Sequence, residues 1–142
     1  MANYNGSARS NYVRFDPGKL DLLQQIFPIS SYTNSAGLTA LHSDTDDGTP
    51  TVFIEDDFPF DAAQQLGITL DADTDFIDFL DVVHLAFAPD PGGHFVWVEV
   101  GTQKLRYLYG RAVVLDAKGT LVREIDLHDI HDTPGVSTTA TF

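Results

Sequence analysis

Phe95-Val96-Trp97-Val98-Glu99-Val100, resumed after Gly101 by Leu105 to Leu115 (Leu-Arg-Tyr-Leu-Tyr-Gly-Arg-Ala-Val-Val-Leu), carries the strongest strand signal in the chain. β-branched and aromatic residues dominate it, and its first part alternates so that Trp97 and Glu99 share one side. Asp116-Ala117-Lys118-Gly119 then reads as a hairpin turn into Leu121–Asp126. Strands joined by such short turns pair antiparallel.

Upstream, the elements are shorter. Ser10 to Phe15 alternates apolar and polar side chains as a half-buried strand does. Asp16-Pro17 is a helix start, with Asp as N-cap and Pro at the first helical position. Leu20, Leu22, Leu23, Ile26 and Phe27 supply the apolar stripe, and Pro28 ends it. Strands are expected at Ile29–Thr33, Leu38–His42 and Thr51–Ile54, with Ser43 to Pro50 as a loop. Phe60 to Leu66 forms one or two helical turns closed by Gly67. Asp73 to Phe87 reads as a longer helix, because Phe76, Phe79, Leu80, Val83 and Phe87 recur at three and four. Residues 1–10 read as a loose polar leader, Leu127–Asp132 as a last helical turn, and 133–142 as a loose tail. The expected architecture is one α+β domain over 1–142, with a mostly antiparallel sheet and two or three short helices on one face.

Composition supports a packed core: 43% of the 142 residues are hydrophobic and ten are Phe. The absence of cysteine excludes a disulfide scaffold, a thiolate zinc site and a cysteine nucleophile. No run of about 18 apolar residues is present to span a membrane, and Met1 to Ser10 lacks the apolar stretch of a secretory signal. A cytoplasmic protein is expected.

Charge is the sharpest cue. The formal charge is -13, yet no Lys or Arg lies between Lys19 and Lys104, an interval holding 15 of the 21 acids. Solvated surfaces ordinarily mix both signs. Such a balance opposes direct binding to nucleic acid or anionic lipid and favours a basic protein partner. On a helix, Asp75, Asp78 and Asp81 would form a slowly rotating row with neighbours about 5–6 Å apart. That spacing is on the scale of the phosphates along a nucleic-acid strand, so the row could occupy a Lys/Arg groove built for one. Asp71 precedes the row, and Asp44, Asp46, Asp47, Asp56, Asp57 and Asp61 would extend it where the fold brings them alongside. Solvation of a helix face, with acids favouring its N-terminus, is the simpler explanation of any one of these residues, and the mimic reading gains from the absence of Lys or Arg to neutralise the row.

Other patterns carry less. Asp71-Ala-Asp73-Thr-Asp75 begins like a calcium loop, but Phe76 stands where the turn needs Gly and Val82 where the loop needs Glu. His128 and His131, three apart with Asp129 and Asp132, could share a metal, with His42, His84 or His94 as candidate third ligands. His84, inside the apolar helix, reads as a satisfied, partly buried side chain. No nucleophile elbow or Gly-rich phosphate loop appears, so no catalytic residue and no cofactor is expected. Lys104, Arg106, Arg111 and Arg123, with Tyr107 and Tyr109, could form a basic-aromatic surface, but cross-strand pairing with Glu99, Glu124 or Asp126 is the simpler use.

Ser10-Asn11-Tyr12-Val13-Arg14 near the start, together with Glu99-Val-Gly-Thr-Gln-Lys-Leu-Arg-Tyr-Leu-Tyr-Gly-Arg-Ala-Val113, resembles a group of small acidic proteins carried by phages and plasmids. The likeness covers about the first 20 and last 50 residues. It implies an anti-defence role, against restriction or CRISPR complexes, and transfers no site residue. The leading expectation is a non-enzymatic inhibitor that presents a nucleic-acid-mimicking acidic surface to a basic nucleic-acid-binding protein, a defence complex or a nuclease. An immunity or antitoxin-like protein neutralising a basic toxin is the alternative, and a metal-dependent enzyme using His128 and His131 the second. An exposed sheet edge could also support a homodimer.

Overall fold

The computed structural model describes residues 4–103, 107–127 and 129. Six strands form one antiparallel sheet: β1 (Tyr4–Ser10), β2 (Ile29–Thr33), β3 (Thr39–Ser43), β6 (Phe95–Gln103), β7 (Tyr107–Leu115) and β8 (Leu121–Asp126), in the spatial order β2-β3-β1-β6-β7-β8. A two-stranded ribbon of β4 (Thr51–Phe53) and β5 (Phe76–Asp78) stands apart from it. Helices α1 (Pro17–Ile26), α2 (Phe60–Leu66) and α3 (Phe79–Val82), the last running into a 3-10 turn at Val83–Ala86, complete an α+β fold.

Local chemistry accounts for most of these elements. Asp16 caps α1, its Oδ1 accepting the Lys19 N–H at 3.1 Å, with Pro17 at the first helical position. Gly67 closes α2 in the left-handed conformation (φ 97°) that a residue bearing a Cβ adopts at a cost. Asp116 Oδ1 accepts the Lys118 and Thr120 N–H groups at 2.8 and 2.9 Å and so folds the β7–β8 turn. The same two bonds, the one from Thr120 foremost, hold its carboxyl below the usual range.

Two expectations are corrected. Residues 4–10 are no loose leader: they form β1, paired with β6 over seven residues from Tyr4↔Gln103 to Ser10↔Trp97 and with β3 at Arg9↔His42. The strand is polar because its outward positions, Asn5, Ser7 and Arg9, are exposed, whereas Ala8 and Ser10 lie buried on the other side. Nor is Asp73 to Phe87 one helix. Asp71 Oδ1 accepts the Asp73 N–H (2.9 Å) and the Thr74 hydroxyl (3.0 Å), a side-chain turn that competes with helix. Phe76–Asp78 then pairs as a strand with β4, and helix begins only at Phe79. The three-and-four periodicity is real from Phe79 onward, since Phe79, Val82, Val83 and Ala86 are all buried.

The core lies between the inner sheet face and the helices. Trp97, Phe95, Val113 and Leu115 from the sheet meet Leu23, Phe27, Ala63, Phe79 and Val83. Phe79 is its hub, 4.7 Å from Trp97 and 5.5 Å from Phe27 between ring centroids. No helix among the described residues is long and apolar enough to cross a membrane.

Candidate functional site

Glu99 is the organising residue beneath the acidic side of the molecule. Alternation along β6 places it on the inner face behind Phe95 and Trp97, and it is 7% exposed. A buried carboxylate requires donors, and three are supplied. The Tyr4 hydroxyl donates to Oε2 at 2.7 Å, the Thr49 N–H to Oε1 at 2.8 Å, and the Thr49 hydroxyl also to Oε1. The Thr49 hydroxyl oxygen in turn accepts from Trp97 Nε1 at 2.8 Å and from Arg111 Nη2 at 3.4 Å. Arg111, opposite Glu99 on β7, also reaches Glu124 at 3.4 Å, the cross-strand use expected of it. Burial, then the bond to Glu99, pushes the Tyr4 phenol well above its ordinary range. Burial likewise raises that of Tyr109, with Arg111 opposing it.

This network fixes the acidic loop after β3. Gly6 donates its N–H to the Asp46 carbonyl at 2.6 Å and bridges to Asp47, while Thr49 is tied to Glu99. Gly48 is required there: its φ is +80°, and a Cβ would lie 2.5 Å from the Glu99 carboxylate carbon. Beside the pinned loop, a polar hollow of about 380 Å³ is lined by Asp47, Asp78, Asp81, Glu99, Tyr109 and Arg111, among others.

The ribbon sets the remaining acids. Period-two alternation turns Val52 and Ile77 toward the core and Thr51, Phe53, Phe76 and Asp78 outward. Thr51 donates its hydroxyl to Asp78 at 2.7 Å. Next along the ribbon, the exposed rings of Phe53 (62%) and Phe76 (50%) lie 6.2 Å apart. Beyond them, the Ile54 N–H bonds to the Asp75 carbonyl at 2.9 Å, which brings exposed Glu55, Asp56 and Asp57 to the same ribbon end as Asp75. A second hollow, of about 340 Å³, opens beside Phe53 and is bounded by Glu55, Asp57 and Phe58.

The predicted acids therefore divide. Asp47, Asp78 and Asp81 meet at the first hollow, and Asp56, Asp57 and Asp75 at the far ribbon end. Asp61 is exposed in the first turn of α2, and the Asp71 carboxylate is engaged in its own turn. Asp44 accepts the Ser30 hydroxyl at 2.7 Å and lies 3.5 Å from His42 Nδ1. The expected helical row is overturned: Asp75 and Asp78 sit on extended chain, where three residues span about 10 Å. Among the described residues, none of Asp46, Asp47, Asp56, Asp57, Asp61, Asp71, Asp75, Asp78 or Asp81 lies within ion-pair distance of a Lys, Arg or His.

The described residues contain no group of three His, Cys, Asp or Glu placed to hold a metal. His128 and His131 lie outside the described residues, as do Lys104, Arg106 and the tail 133–142. His84 is half-buried as expected, but its buried Nδ1 has no hydrogen-bond partner among the described residues. Nothing in the sequence around Tyr4 or Thr49 marks either residue for the site. Comparison with protein-family models, curated proteins and solved structures finds no match.

Proposed function

We propose that the protein is a non-enzymatic inhibitor that docks its acidic side on a basic, nucleic-acid-binding protein and keeps nucleic acid from it. The observation that carries this reading is the exposed Phe53–Phe76 pair, flanked on the ribbon by Asp78 at one end and Glu55, Asp56, Asp57 and Asp75 at the other. Exposed aromatics within a polar rim are the usual anchors of a protein interface. A rim of one sign selects a partner of the other and steers its approach. The pinned 44–50 loop supports the reading further, because a backbone already held in place loses little freedom on binding. Irregular spacing replaces the helical row, so the mimicry is of overall potential rather than of a phosphate ladder. An anti-restriction or anti-CRISPR role accords with the resemblance to phage- and plasmid-borne proteins.

The test is a native pull-down from a host carrying such complexes, followed by competition between this protein and DNA or guide RNA for the captured partner. Phe53→Ala with Phe76→Ala, and separately Asp56→Lys with Asp57→Lys, are each expected to weaken inhibition by about 10-fold or more at low salt. Full inhibition by both double variants, or a captured partner indifferent to nucleic acid, would refute the reading.

A further inference from the structure

The sheet has a second side, and the described residues leave it uncovered. An antiparallel sheet with one wet face alternates apolar and polar residues. β6 and β7 instead present Val96, Val98, Val100, Leu108, Ala112 and Val114 away from the core, the pattern of strands buried on both faces. Val100 is 54% exposed, Leu108 52% and, on β8, Ile125 45%. Gly110 leaves a depression of about 460 Å³ among Val98, Val100, Ala112, Ile125 and Leu127. Leu108 projects beside it, two residues away on the same strand face.

We infer that this face binds a second copy of the chain in a two-fold, face-to-face pair of sheets, with Leu108 of each copy entering the Gly110 depression of the other. Charge singles out that occupant. Copies with a formal charge of -13 repel wherever their acidic sides meet. The outward positions of β1, β3, β6, β7 and β8 among the described residues carry no carboxylate and do carry Arg9, His42 and Arg123. Asp126 and Asp129 line the depression together with Arg111, and Asp44 follows β3 beside His42. Two copies therefore approach here against the least repulsion. The size is adequate: six strands about 4.8 Å apart and about 22 Å long give roughly 650 Å² of projected face, close to the ~800 Å² per partner of a stable interface. A projection beside a socket on one strand is self-complementary under a two-fold axis. Twisted sheets stack in this way at about 30°.

Sedimentation equilibrium of the full chain from low micromolar to several hundred micromolar tests the inference, with a concentration-dependent dimer expected. Leu108→Lys removes the projection. Gly110→Leu fills the socket, and the fold has room for it, because a Cβ there would meet nothing nearer than Leu127 Cβ at 3.7 Å. Each is expected to weaken the dimer about 100-fold with an unchanged circular dichroism spectrum, whereas Asp57→Lys leaves dimerisation in place. Hydroxyl-radical footprinting of the unsubstituted chain, with Leu108 and Ile125 protected as concentration rises, reads the same face without a variant. A monomer at every concentration, or a dimer indifferent to both substitutions, would overturn the inference. So would a monomer whose variants lose thermal stability, which would assign the face to this chain's own residues beyond 127. The acidic-side reading is unaffected by any of these outcomes.

Discussion

Thr49→Val preserves shape and removes a single hydroxyl, yet that hydroxyl joins three partners. It donates to Glu99, accepts from Trp97 Nε1 at 2.8 Å and accepts from Arg111 at 3.4 Å. Trp97 is fully buried, so its indole N–H would face a methyl group and remain unsatisfied, at a cost of about 1–3 kcal/mol. Glu99 would retain Tyr4 and the Thr49 N–H but lose one charge-assisted bond, worth about 1.5–3 kcal/mol. The two losses share one atom and do not simply add; about 3 kcal/mol is expected. For a chain of this size that lowers Tm by about 6–12 °C. Trp97 is the sole tryptophan, so its fluorescence reports both unfolding and the altered environment of its own N–H. Thr51→Val is the matched control, because it removes an exposed bond, to Asp78, and should cost about 0.5 kcal/mol. Amide exchange in the 44–50 loop should accelerate in the first variant and not in the second. Equal, small shifts in both would show that the network beneath the acidic side neither stabilises the fold nor pins the loop.

Two further outcomes follow from other parts of the molecule. Asp16→Ala deletes the α1 cap and should cost about 0.5–2 kcal/mol, seen as a lower denaturant midpoint with an unchanged slope; no change in midpoint would mean the cap is idle. Alkaline stability should also fall. The Tyr4 pKa is raised in the folded chain, so above about pH 10 the unfolded chain releases a proton that the folded chain keeps, and stability declines as pH rises further. Midpoints measured from pH 8 to 11 should decline less steeply in Tyr4→Phe, with Tyr109 contributing the remaining slope in the same direction; an unaltered slope would place the proton release elsewhere.

What the sequence discloses and conceals has physical causes at particular residues. Strands β6 and β7, the β7–β8 hairpin, helix α1 and the β2–β3 pair are legible because propensity, alternation, capping and turn chemistry agree there. β1 escapes because a strand is recognised by apolar alternation, and its inner side is nearly all small. Gly6 and Gly101, paired across β1 and β6, form the floor on which the Tyr4 ring lies; a Cβ on Gly101 would come within 2.7 Å of the Tyr4 hydroxyl. The 73–87 segment misleads in the opposite way, since Phe76 falls on the helical period yet points to solvent from a strand. Pairing with β4 overrides the local pattern. At the site, Glu99 is visible as the one charge on the Trp97 side of an otherwise apolar strand face. Its donors are not, because Tyr4 and Thr49 lie 95 and 50 residues away in the chain and only the folded sheet brings them to it.

The two sides of the sheet answer one physical problem from opposite directions. An 84-residue interval without Lys or Arg, Leu20 to Gln103, must fold despite its own repulsion. The fold spreads most of those acids over the helix-and-ribbon side, where they remain solvated, and admits a single one, Glu99, beneath it with three donors. Sequestering charge on that side leaves the opposite sheet face with apolar residues and a few cations, and so open to a neighbour of the same net sign. Salt distinguishes the two surfaces. Screening weakens docking that depends on the acidic side, while it relieves residual repulsion between two copies joined through their valine and leucine face. The proposed docking surface for a basic partner and the inferred self-pairing surface thus rest on the same segregation of charge, and each can be removed by substitution without touching the other.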